Sequence, residues 1–213
     1  FGVKHKEKLK SLKKNIDILS MSATPIPRTL YMSLSGIKNL SVINTPPQNR
    51  LPIKTQVGEM NDNVIKNAIN YELDREGQVF VLYNRVETIY EFASYIQKLV
   101  PNAKIAVGHG QLDEKTLEQV MVDFANGEYN VLVATTIIES GLNIENANTI
   151  IITNSEKFGL AQLYQLRGRV GRAQRQAYCY CLYNKSKNLT EEAIKRLKAI
   201  KDFTTLGSGY QIA

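Results

Sequence analysis

No apolar run in this 213-residue sequence approaches the roughly 18 to 20 residues of a membrane-spanning helix. No charged-then-apolar leader opens it either, so neither a membrane span nor an export signal is expected. Cysteine is nearly absent. Cys179 and Cys181, one residue apart, form neither a disulfide framework nor a zinc site, which points to a reducing compartment. Metal or redox chemistry would need further ligands nearby and none are close, so the pair reads as packing and no metal site is expected. Repeats and low-complexity tracts are missing. Also missing is a Gly-x-x-x-x-Gly-Lys-Ser/Thr loop to cradle phosphates, or an Asp-Glu pair placed to hold Mg²⁺. Charged residues make up only 22%, too few for a disordered polyelectrolyte, while 43% hydrophobic residues can fill a core.

The net charge is +7, unevenly spread. Residues 1–14 carry +5, residues 15–156 carry −6, and residues 157–201 carry +9. The chain is acidic in the middle and basic at both ends. A basic balance favours an anionic partner, but its position decides which face would meet one.

Ile16–Met21 reads as a buried strand, broken by Pro25 and Pro27 in Ser22–Arg28, with a short helix over Thr29–Leu34. Two prolines in Thr45–Arg50 mark a linker at about residues 44–52. Beyond it, helical and strand patterns alternate. Asn61 or Asp62 caps a helix to about Arg75, with Ile65, Ala68, Ile69 and Leu73 on one face and Gly77 ending it. Gln78–Tyr83, Lys104–Val107, Val131–Ala134, Thr149–Ile152 and Ala177–Leu182 read as strands. Glu87–Leu99, a helix from Asp113 through Phe124 ended by Gly127, Leu160–Gly168 and Thr190–Phe203 read as helices. Strands apolar on both faces and separated by helices predict a parallel sheet covered on both sides. Right-handed crossovers then align the strand C-termini and their loops along one edge.

The sharpest signal is Gln165-Leu-Arg-Gly168-Arg169-Val-Gly171-Arg172. Arg169 and Arg172, three apart, would project from one side of a helix end. Gly168 and Gly171 keep the backbone bare, so both guanidiniums can reach something flat and anionic. Arginine suits phosphate because its planar fork stays charged and binds in a bidentate manner. A purely structural helix would not place two glycines within four residues, since each costs about 1 kcal/mol there.

This pattern resembles motif VI of superfamily 2 helicases and translocases. The resemblance implies the second of two RecA-like lobes, facing ATP bound to the first. Arg172 would then be the arginine finger, Arg169 the companion γ-phosphate contact, and Gln165 a positioning residue. Other strings resemble further motifs of that family. Ser22-Ala-Thr24, within Ser22–Leu30, resembles motif III, implying coupling of nucleotide state to the nucleic-acid grip. Val131–Ile144 resembles motif V, implying phosphate contacts from Thr135 and Thr136 and nucleotide contacts near Gly141 and Asn143. It departs from the family at Asn143, where Asp is usual, and at Glu145, where Pro is usual. Gly108-His109-Gly110-Gln111 resembles the motif IVa loop that tracks the DNA backbone; His109 itself reads as a local hydrogen-bonding residue rather than a catalyst. Tyr83-Asn84-Arg85 resembles motif IV, and either contacts nucleic acid or leaves Arg85 in a salt bridge. The basic helix Thr190–Phe203 is either a solvated face or the helical hairpin entering a translocation motif, in which Arg196 would relay ATP state to DNA.

Two families share nearly all these strings: the bacterial transcription-repair coupling factors and RecG, the branched-DNA translocase. Met32–Ile43, Thr45-Pro-Pro, Tyr83–Ile89 and Gly108–Gln111 look like the coupling factor. The resemblance implies a RecA-like, P-loop NTPase-type α/β fold. Residues 1–48 would be the tail of the first lobe, 49–188 the second lobe, and 189–213 the truncated basic hairpin. It implies ATP and Mg²⁺ as cofactors, held mainly by the absent first lobe, and an inactive fragment when alone. Implied partners are double-stranded DNA, the first lobe in cis, and RNA polymerase and excision-repair proteins through domains not in this chain. The implied setting is the bacterial cytoplasm, at the nucleoid. A nucleic-acid-binding module without a catalytic part is the alternative of another class.

Overall fold

The computed structural model describes residue 41 and residues 51–136, 144–184 and 189–202. The expectations for Ser22, Thr24, Gly141 and Asn143, the 16–21 strand and the 29–34 helix lie outside these residues.

Six strands form one sheet: β1 (Lys54–Glu59), β2 (Gln78–Leu82), β3 (Ile105–Gly108), β4 (Val131–Ala134), β5 (Ala147–Ile152) and β6 (Tyr178–Tyr183). Their order across the sheet is β1-β6-β5-β2-β4-β3, and every pairing is parallel. Five helices complete the described fold: α1 (Asp62–Leu73), α2 (Ile89–Leu99), α3 (Glu114–Ala125), α4 (Leu160–Arg167) and α5 (Glu191–Asp202).

Alternation along each strand builds two cores. Val79 and Val81 of β2 point with Val131, Val133 and Ile151 toward Ile65 and Ile69 of α1 and Phe92 and Ile96 of α2. Phe80 and Leu82 point with Leu132, Ile150 and Ile152 toward Phe124 of α3, Leu163 and Leu166 of α4, and Leu197 and Ile200 of α5. Strands buried on both faces are uniformly apolar because helices cover both sides. The predicted fold class is therefore the observed one. No helix among the described residues is long and apolar enough to cross a membrane.

The helix starts follow local chemistry. Asn61 accepts the Val64 N–H at 2.9 Å, and Asp113 accepts that of Thr116 at 3.0 Å. Asp113 is thus the helix cap, and the hydrogen bonds it accepts from Thr116 hold its carboxyl below the usual carboxylate range. Gly127 ends the α3 segment with φ +83°, as expected.

Two expectations need correction. After α1 the left-handed residue is Glu76 (φ 58°), not Gly77. Gly77 lacks a side chain for another reason: a Cβ there would overlap the carboxylate of the buried Glu72, which accepts the Thr149 hydroxyl. The second is the span 54–59, where the sequence pattern predicts no strand and the structure forms β1. Its sequence, KTQVGE, is polar because it lies at the sheet edge and pairs only with β6.

Candidate functional site

Because all pairings are parallel, the loops that follow β2, β3 and β4 share one edge of the sheet. Each sequence-derived contact on that edge has a distinct position. Tyr83 is committed to packing: its ring stacks on Phe92 at 4.1 Å and its hydroxyl meets Thr88 Oγ1 at 2.8 Å. Asn84 and Arg85 are exposed. No salt bridge involving Arg85 exists among the described residues.

In the next loop, Gly108 ends β3 and Gly110 is exposed, while His109 is turned inward at 6% exposure. Its Nδ1 accepts the Gln111 N–H at 3.3 Å, which leaves Nε2–H to donate to the Tyr90 hydroxyl at 3.2 Å. The His109 side chain shapes the loop. Thr135, also 6% exposed, donates its backbone N–H to Gly108 O at 3.2 Å, tying the β3 and β4 loops together. That N–H is spent inside the protein, and the half-buried Thr136 is the more accessible of the two hydroxyls.

The edge holds one feature that sequence reading missed. A cleft of about 120 Å³ opens between the ends of β2 and β5, lined by Asn84, Arg85, Thr153, Asn154, Lys157, Phe158 and Gln162. Asn154 sits in the left-handed region (φ 49°, ψ 42°) and turns the chain into the cleft wall. Thr153 fixes the floor by donating its hydroxyl to Leu82 O at 2.8 Å. Asn84 and Arg85 carry a sequence signal of their own, whereas the β5 side is marked only by a Thr-Asn pair after an apolar run.

Motif VI lies elsewhere. Helix α4 ends at Arg167, so Arg169 and Arg172 stand on the turn beyond it, not on the helix end as predicted. Gly171 shapes that turn with φ +76°. A Cβ on it would come within 3.1 Å of Ile53 and 3.2 Å of Ala177, the residues preceding β1 and β6. The arginine turn thus sits near the opposite ends of the strands from the loops above. Gly168 has ordinary helical angles, and a Cβ there would make only normal contacts of 3.4 and 3.5 Å.

Gly171→Ala is accordingly expected to cost about 1–2 kcal/mol for the left-handed angle alone, plus crowding against Ile53. Gly168→Ala should be neutral or slightly stabilising. Thermal melts of the two variants check this. A fall of several degrees for Gly171→Ala alone is expected, at about 2–4 °C per kcal/mol for this size. Equal melting temperatures would refute the strained turn.

Arg169 and Arg172 are half-buried, and Gln165 is exposed on α4. The Arg169 guanidinium makes no hydrogen bond or ion pair among the described residues. Unlike these, Arg167 is buried at 5% exposure. Its Nη1 donates to Ile200 O at 2.9 Å, and its guanidinium lies 4.9 Å from the Tyr164 ring centre. Sequence alone could not separate this arginine from its two neighbours. Arg196, assigned to DNA, is also turned inward: it donates to Glu156 O at 3.1 Å and approaches Glu192 at 3.9 Å. The exposed cations of α5 are Lys195, Lys198 and Lys201.

The donors present fit nucleotide phosphates, since Arg169 offers an uncommitted fork. A metal fits less well: among the described residues no group of three or more His, Cys, Asp or Glu could hold one. Cys179 and Cys181 are buried with sulfurs 3.8 Å apart. The neighbouring thiol and burial push Cys179 well above its ordinary pKa, so it is no nucleophile.

Residues 61–174, more than half of the chain and including both the cleft and the arginine turn, match the helicase conserved C-terminal domain. The chain belongs to this family. It is 58% identical, over all 213 residues, to the transcription-repair-coupling factor of Staphylococcus haemolyticus (strain JCSC1435). The same name is carried by a Staphylococcus aureus (strain USA300) relative that is 57% identical over the same span. The chain covers 18% of the length of each. Among solved structures, RecG bound to a three-way DNA junction shares 35% identity and a TM-score of 0.75, over 94% of this chain and 28% of that one. Yeast Dbp5 bound to RNA and ADP BeF3 matches at TM-score 0.66 and 16% identity, over 94% of this chain and 52% of that one, a likeness of fold alone. The sheet and its helices are thus the RecA-like helicase C-terminal fold.

Proposed function

We propose that this chain is the second motor lobe of an ATP-dependent double-stranded DNA translocase that displaces stalled RNA polymerase and couples transcription to nucleotide excision repair. The observation that carries the reading is 58% identity along the whole chain to a transcription-repair-coupling factor. The geometry supports it by separating two tasks. Arg169 and Arg172 stand on one turn, and Asn84, Arg85, the Gly108–Gln111 loop and Thr136 stand along the strand C-terminal edge.

In this reading residues 1–48 end the first lobe, 49–188 form the second, and 189–213 begin the translocation hairpin. The first lobe would bind ATP and Mg²⁺, and ATP supplies the phosphoryl group whose charge the arginines would stabilise. DNA contacts made through hydroxyls, amides and few cations would be independent of sequence and sensitive to salt. The chain alone would not hydrolyse ATP.

The test is made on the intact protein. It should displace a triplex-forming strand from duplex DNA with ATP, and release RNA polymerase stalled by nucleotide starvation. Remodelling of branched DNA without polymerase release would favour the RecG-like reading, which rests on the 35% identity to RecG. ATPase from the isolated chain would overturn its assignment as an inactive lobe.

A further inference from the structure

The cleft between β2 and β5 lies where the topology reverses. In the order β1-β6-β5-β2-β4-β3, the chain leaves β2 toward β3 on one side and leaves β5 toward β6 on the other. The helices that follow diverge too: α2 packs on one face of the sheet and α4 on the other. Neighbouring parallel strands whose connections part in this way leave a crevice at their carboxyl ends, the usual ligand position in open α/β sheets.

We propose that this crevice is a phosphate subsite, with Arg85 and Lys157 as its cations and Asn84 and Asn154 as its amide ligands. Four observations converge on it. Arg85 follows β2 and Lys157 follows β5, so separate segments bring two positive charges to one small space. Neither forms a salt bridge among the described residues, and no Asp or Glu is among the residues lining the cleft. At about 120 Å³ the cleft is small, with room for a compact anion such as a phosphate. Asn154 is held in the left-handed region at the rim, a backbone placement that clusters at ligand sites.

Two like charges facing one crevice repel until an anion sits between them. A phosphate oxygen accepts from both cations, while the amide N–H₂ groups donate without adding charge. The most economical source is a DNA strand crossing the sheet edge, so the inference rests on the translocase reading and adds Lys157 and Asn154 to it. A nucleotide phosphate is the other source of the same chemistry.

The test uses the intact protein with Lys157→Ala, Lys157→Arg and, as a reference for the DNA edge, Thr136→Val. Duplex affinity is measured across a salt series, and the KM for ATP is measured alongside. Loss of one phosphate contact should flatten the slope of log K against log salt by about 0.9 and weaken binding several-fold at low salt. Lys157→Arg should restore both, which a merely structural lysine would not require. A raised KM for ATP with an intact slope would assign the phosphate to a nucleotide. If Thr136→Val weakens binding while Lys157→Ala changes neither slope nor KM, the subsite is wrong and the translocase reading stands. If neither variant changes DNA binding, the subsite is wrong, and the translocase reading is decided by the strand-displacement and polymerase-release assays.

Discussion

Arg172→Ala in the intact protein is expected to lower ATP turnover by about 10³- to 10⁵-fold, the range an arginine finger supplies. The expectation rests on Arg172 standing on a turn shaped by the positive φ of Gly171, with Arg169 three residues earlier on the same turn. Charge that develops on a transferring phosphoryl group needs a fixed donor, and a planar guanidinium supplies one without deprotonating. Arg172→Lys should rescue little, because an ammonium lacks the fork. Duplex affinity should be retained, since the turn lies away from the strand C-terminal edge. The decisive comparison is steady-state ATPase beside DNA binding for the same preparation. Equal loss of both would move Arg172 to the DNA side and favour the non-catalytic binding module.

Arg167→Ala should produce the largest loss of stability among the motif VI arginines. Arg167 is buried, stacks on Tyr164 and donates to the carbonyl of Ile200 in the last turn of α5. This charged donor ties the end of α4 to α5 through a buried hydrogen bond. A hydrogen bond from a charged donor contributes about 1.5–3 kcal/mol. The melting temperature should therefore fall by roughly 3–12 °C, at about 2–4 °C per kcal/mol. Hydrogen exchange should quicken in α5 before α1, because only α5 loses its anchor. Uniform acceleration across both helices would show that Arg167 does not pin α5 specifically.

Much of the fold was legible locally. Val131–Ala134 was read to the residue as a strand, and Asp113 and Gly127 bracketed α3 as expected. Caps and left-handed glycines are decided by neighbours within a few positions, so sequence carries them. β1 was missed because an edge strand has one partner and needs no continuous apolar run. The glycine pair of motif VI was legible as a signal, but its members differ: Gly171 is required by its backbone angle and Gly168 is not.

The sequence by itself determined the class of fold, through strands apolar on both faces alternating with helices. It also determined the family resemblance, through arginines and glycines at fixed spacing. Tertiary structure decided which of those arginines face outward. Arg167, Arg169 and Arg172 read alike along the chain, yet burial beneath α5 makes Arg167 a pin, while Arg169 is left with no partner among the described residues. Strand order likewise decided the crevice: residues 84–85 and 153–162 meet there only because β5 lies beside β2. Local patterns record the period of a side chain, whereas a site joins segments whose separation along the chain no period encodes.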